Sequence, residues 1–129
     1  MSEEQAVQRA LAAWNQGIDA FLERLSPDVE WHAPPGFPDG DVWYGHEAVA
    51  QILREVWTSI FKGQPIEPDE LIRGRDAWLL GGRQSAKHES GMALEWEEFV
   101  VFQMEGDLIR RAWIFMDRES AARQAGLEH

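Results

Sequence analysis

Between Glu3 and Gln16 the apolar residues Val7, Ala10, Leu11 and Trp14 recur at helical spacing, with Ser2 placed to cap the first turn and Gly17 to stop the run. This pattern predicts a first helix. A shorter amphipathic piece follows, carrying Ile18, Phe21, Leu22 and Leu25 on one side and ending at Ser26 and Pro27, so the chain opens on a helical hairpin. The period then changes. Val29, Trp31 and Ala33 alternate with Glu30 and His32, which predicts a short strand whose apolar set points inward and whose polar set, His32 included, points out. The proline- and glycine-rich stretch after it predicts an irregular loop. From Gly45 onward, Val49, Ile52, Leu53, Val56, Trp57 and Ile60 mark a long third helix, with Glu47 in the first turn where negative charge is favoured.

Beyond Phe61 the segments PIEPDELI, AWLLGGRQSA, GMALEWEEFVVFQM and LIRRAWIFMD predict strands, separated by the turn signals GRD, KHES and EGD. A short helix in RESAARQAGL closes the chain. Helices first and antiparallel strands after are the pattern of an α+β domain in which helices cover one side of a curved sheet. The expected architecture is a cone-shaped α+β barrel, a mostly antiparallel sheet wrapped around N-terminal helices and enclosing a cavity suited to a small ligand. No repeat or linker interrupts the pattern, so residues 1–127 are expected to form one domain and residues 128–129 to be the remnant of an expression tag.

Composition narrows the function classes. With 23 acidic and 12 basic residues the formal charge is -11, which repels nucleic-acid phosphates and anionic membranes alike. The absence of cysteine excludes disulfides, thiolate zinc sites and cysteine nucleophiles, and no segment is apolar for long enough to span a membrane. A cytoplasmic protein is the expectation. The four histidines are scattered and none pairs with another at helical spacing, so no metal site is expected. Neither a phosphate loop nor a dinucleotide fingerprint is present, and no cofactor is expected. Seven tryptophans against one tyrosine supply material for aromatic walls.

Candidate chemistry lies toward the C-terminus. In the strand from Met92 to Met104 one side carries Met92, Leu94, Trp96, Glu98, Val100, Phe102 and Met104, which makes Glu98 a lone carboxylate on an apolar face. Burial there would raise its pKa and fit it for acid or base work. A tight turn at Glu105 and Gly106 would set Glu98 opposite Trp113 and diagonal to Arg111, on a face shared with Ile109, Phe115 and Asp117. An ion pair with Arg111 would keep Glu98 ionised, the opposite of the isolated-acid reading, and the residues alone leave both open. Asp117 carries a second reading as the cap of the last helix. His46 and His88 are expected at the surface.

The order of AAWNQG, DVEWHAP, YGHEAV and EGDLIRRAWIFMDRESAARQAGL resembles the nuclear transport factor 2-like superfamily, with its SnoaL-like polyketide cyclase and ketosteroid isomerase-like branches most similar. The resemblance implies a barrel with a deep cavity, dimeric through the outer face of the sheet. It places Ala33 where the isomerase keeps its aspartate base and Ala10 where it keeps its tyrosine, leaving only the acidic donor, at Glu98. From the cyclase branch it implies an acid/base role for Asp117. From limonene epoxide hydrolase-like members it implies that Glu98, Arg111 and Asp117 imitate an acid, arginine, acid set, although Trp96 stands where the arginine belongs.

The functional expectation is therefore a cofactor-independent acid/base enzyme of isomerase, cyclase or epoxide hydrolase type acting on a small, largely apolar molecule. Asp117 and Glu98 would move protons and Arg111 would orient an oxygen. The pocket would be walled by Trp14, Trp31, Ala33, Trp57, Trp96, Trp113 and Phe115, with Tyr44 near its mouth. The rivals are a binding or sequestering protein, in which the tryptophans supply affinity, and a dimeric scaffold with a filled interior.

Overall fold

The computed structural model describes residues 2–33, 42–56, 68–87, 91 and 93–127, with backbone only at 56, 68, 83–87 and 93–96. Helix α1 (Glu3–Gln16) begins at a capping box, in which the Ser2 hydroxyl accepts from the Gln5 amide and the Gln5 side chain accepts from the Ser2 amide. It ends at Gly17, whose φ of 139° carries the chain into α2 (Ile18–Leu22). That second helix is shorter than its apolar spacing predicts. Glu23 and Arg24 turn the chain, and Leu25 enters strand β1 (Leu25–His32), where it pairs with Ile109. The demand of the sheet for a partner overrides the helical spacing.

The remaining elements are β2 (Val42–Tyr44), α3 (His46–Val56), β3 (Pro68–Arg73), β4 (Trp78–Lys87), β5 (Ala93–Glu105), β6 (Leu108–Phe115) and α4 (Arg118–Ala125). Strand β2, which the loop reading missed, pairs antiparallel with β1 through Glu30 and Tyr44, Trp31 and Trp43, and His32 and Val42. Six strands form one sheet in the order β2-β1-β6-β5-β4-β3, antiparallel throughout except where β1 runs parallel to β6. That parallel seam joins the N-terminal hairpin of strands to the C-terminal meander. The α+β architecture expected from the pattern of the chain is present.

Two cores lie on opposite faces of the sheet. On the concave side Val7, Ala10 and Trp14 of α1, Phe21 and Leu22 of α2, and Val49 and Leu53 of α3 pack on Val29, Trp78, Leu80, Phe102, Ile109 and Ala112. His46, expected at the surface, is half-buried and its Nε2–H donates to the Leu22 carbonyl at 2.7 Å, tying α3 to α2. On the other side α4 lays Ala121 and Ala125 over Ala77, Leu79, Phe99 and Val101. Small residues let α4 approach closely, and a Cβ at Gly74 would collide with the Ala125 carbonyl. No helix among the described residues is long and apolar enough to cross a membrane.

Candidate functional site

Strand β5 pairs with β4 in unbroken register from Trp78 and Phe102 to Lys87 and Ala93. Phe102 and Val100 belong to the concave core, so strict alternation places Glu98 on that same face. Its direct partner on β4 is Gly82. On the other flank β6 ends at Phe115, the partner of Phe99, so the row of Glu98 meets no residue of β6. Among the described residues Glu98 has no hydrogen-bond or ion-pair partner. The residue keeps some surface, yet desolvation by burial raises its carboxyl from the ordinary 4.5 to about 7. At neutral pH such a group both gives and accepts a proton.

Further along this face, successive cross-strand partners form an aromatic row, Trp43, Trp31, Ala112, Phe102 and Trp78, running across five strands. Trp31 also meets Phe21 edge-on at 6.4 Å, and Phe21 meets Trp14 edge-on at 4.9 Å. Trp14 is thus core beneath α2, and Trp31 packs on the concave core, the side to which its alternation assigns it. Trp43 packs on the same core and was not among the expected residues. Its signal was the alternation in VWY, which is legible once those three residues are a strand.

The other expected site residues lie elsewhere. The turn of the final hairpin is Gly106 and Asp107, with φ of +63° at Gly106, so Met104 pairs with Ile109 rather than with Asp107. One residue later an irregularity at Arg110 shifts the register again, and Gln103 faces Arg111. The hairpin shift alone keeps each side chain on its face. The bulge reverses it. Ile109 and Ala112 face the concave core, while Arg111, Trp113 and Phe115 face the opposite side, where Trp113 and Phe115 pack against the core under α4.

Arg111 accordingly does not pair with Glu98. Its Nε lies 3.4 Å from Glu30, which also meets Arg110 at 4.0 Å and His32 Nε2 at 3.5 Å, and the His32 ring stacks on Trp113 at 5.2 Å. His32 shares the outer side with Glu30, as the alternation predicts. Tyr44 joins this outer group rather than the cavity mouth, because it pairs directly with Glu30, and it is 66% exposed. Ala33 follows the last residue of β1 and is half-buried. Trp57 lies outside the described residues. Trp96 pairs with Gln84 through its backbone, and its side chain is outside the description.

Asp117 is the cap of α4, not a partner of Glu98. Its Oδ2 accepts from the Ser120 amide at 2.8 Å, and that hydrogen bond holds the exposed carboxyl below the usual aspartate range. Asp117→Ala should therefore lower the melting midpoint by a few degrees, and Asp117→Ser should recover most of the loss. Differential scanning calorimetry on both variants checks this, and neither change should alter the ionisation of Glu98. Among the described residues no group of three His, Cys, Asp or Glu side chains is placed to hold a metal.

Solved structures share this arrangement. A nuclear transport factor 2-like protein of unknown function from Burkholderia pseudomallei is 24% identical over 97% of this chain and 98% of its own, with a TM-score of 0.76. TerC, co-crystallised with polyporic acid, is 21% identical over 95% of this chain and 97% of its own, with a TM-score of 0.74. A protein of ketosteroid isomerase-like fold from Catenulispora acidiphila, in complex with trimethylamine, is 14% identical over 98% of this chain and 96% of its own, with a TM-score of 0.70. At these identities the likeness speaks for the fold. A search of curated proteins found no match. The SnoaL-like domain model matches residues 7–112, and with the six-stranded sheet and its helices this shows that the chain belongs to the SnoaL-like family of the nuclear transport factor 2-like superfamily.

Proposed function

We propose that the concave face takes a small, largely apolar molecule and that Glu98 exchanges a proton with it, without a cofactor. The observation that carries this reading is the position of Glu98: a carboxyl with no described partner, desolvated on an otherwise apolar face. Burying such a group costs stability. Carboxyls perturbed by desolvation cluster at functional sites, which motivates a use for its proton. Two of the similar structures hold small molecules, polyporic acid in one and trimethylamine in the other, which supports a ligand-taking role for this fold.

One group of this kind suffices for a proton shuttle. Ionised Glu98 takes a proton from carbon beside a carbonyl, and the resulting acid returns it to a neighbouring atom, so atoms and charge balance without a second residue. Isomerisation and ring closure both fit. The expected triad of Glu98, Arg111 and Asp117 is not needed, and the epoxide hydrolase pattern loses its motivation. A binding protein is the second reading, favoured by the lack of any described hydrogen-bonding partner that would orient Glu98.

Proton exchange tests the proposal directly. Cyclopentanone, cyclohexanone and cyclohexenone, each incubated with the protein in D2O, are followed by NMR for deuterium entering beside the carbonyl. The expected result is catalysed exchange whose rate rises with pH and levels above about 7, as Glu98 becomes the base. Exchange no faster than in buffer for every ketone, with binding detected by the same spectra, would establish the binding protein instead.

A further inference from the structure

On the outer face of the parallel seam, Arg110, Arg111 and His32 gather around one carboxylate, that of Glu30. Its Oε2 lies 3.4 Å from Nε of Arg111 and 3.5 Å from Nε2 of His32, so two groups contend for the same oxygen. Oε1 faces Arg110 at 4.0 Å. His32 stands beside Trp113 in the β1–β6 register, and its ring stacks on the indole at 5.2 Å with 21° between the planes. The Nε2 of His32 is shut off from solvent and makes no hydrogen bond among the described residues. At 3.5 Å its contact with Glu30 is too long for a strong one.

One proton changes the balance of this cluster. With a neutral ring, the carboxylate is shared by two guanidiniums. An imidazolium adds a third positive charge, beside the anion and over an aromatic face, both of which attract a cation. The two arginines are not equally placed to give way. Arg110 is 28% exposed, donates to the Asp28 carbonyl and lies 3.5 Å from Glu105. Arg111 is 45% exposed, and Glu30 is its only ion-pair partner among the described residues. Tyr44, opposite Glu30 on β2, is the remaining titratable side chain described on this patch, and Gln103, opposite Arg111 on β5, is neutral. On α4, whose core adjoins Trp113, Arg118 is paired with Glu70 and Arg123 with Glu119. We infer that His32 is a proton switch for Arg111: a neutral His32 leaves Glu30 Oε2 to Arg111, and a protonated His32 takes that oxygen and releases the guanidinium. The outer face then presents a free guanidinium in acid and a paired one in base. The switch lies on the opposite side of the sheet from Glu98 and does not depend on the proton-exchange reading.

Heteronuclear NMR reads both partners in the intact protein. From about pH 8 to about pH 5, the span over which histidine side chains change charge, the Arg111 Nε–H resonance should move with the same midpoint as the His32 ring protons. Relaxation of the Arg111 Nε nitrogen should report a held side chain at the upper end of that span and a flexible one at the lower. His32→Gln should abolish both changes. Glu98→Gln, which removes the titration on the concave face, should leave them in place. Should His32→Gln fail to fold, the wild-type midpoints and relaxation carry the comparison alone. An Arg111 resonance that stays put while His32 titrates, one that moves unchanged in His32→Gln, or a guanidinium equally rigid at both ends of the titration overturns the inference.

Discussion

Glu98→Gln is expected to remove proton exchange and at the same time to stabilise the protein above pH 7. The loss should be roughly 100- to 10,000-fold, the range over which a positioned acid or base contributes. The gain follows from linkage. In the unfolded chain the carboxyl titrates at its ordinary 4.5, and in the folded protein at about 7, so the folded state holds the extra proton between those values. Stability is then fully present below about pH 4.5, declines as pH rises, and has lost the whole contribution above about 7. A difference of that size corresponds to about 3 kcal/mol, as an order of magnitude.

Glutamine keeps the shape of the protonated acid and cannot ionise. At pH 8 the variant should therefore melt roughly 10 °C above the wild type, and at pH 4 the two should nearly coincide. Thermal unfolding at both pH values is the measurement. A variant that is inactive and unchanged in stability at pH 8 would mean that Glu98 is ionised at no cost, held by a partner. A variant more stable at high pH yet equal in exchange would place the shuttle on another residue. On the proposed reading Glu98 weakens the fold in exchange for its chemistry, and its neutral isostere should show both effects together.

The periodicity of the chain carries the fold further than the site. Ser2, Gly17 and the apolar spacing of Val7, Ala10 and Trp14 define α1 because capping and amphipathicity are local properties. Trp31 inward and His32 outward follow from alternation alone. Glu98 was legible for the same reason, since its neighbours Val100 and Phe102 fix its face. Arg111 was not. Its side depends on a single extra residue at Arg110, and RRAW carries no local mark of a bulge. The likeness of Asp117 to a catalytic aspartate came from its place before the last helix, which is also the place of an N-cap, and the 2.8 Å bond to Ser120 shows that it caps α4. Tyr44, expected near the mouth, lies with the outer group for a further reason: three residues are too few to show a period until a partner strand sets their register.

Phe102→Ala is expected to cost about 3–5 kcal/mol, the range for removing a buried aromatic ring from a core that cannot close over the gap. Phe102 is 5% exposed and stands between Ala112 and Trp78 in the aromatic row. The alanine methyl is too short to fill the space. Trp78 is held in place by its indole N–H, which donates to Glu3, and by Arg73, whose guanidinium lies 5.9 Å over its ring. Urea unfolding with an unchanged slope would register the loss as a change of stability alone. The ring lies four residues from Glu98 along β5, about 13 Å in an extended strand, beyond the reach of direct coupling. In the double variant with Glu98→Gln the two changes should add within about 0.5 kcal/mol at pH 8. A larger deviation would show that the aromatic row itself keeps water from Glu98, and would extend the proton-exchange site across the whole concave face.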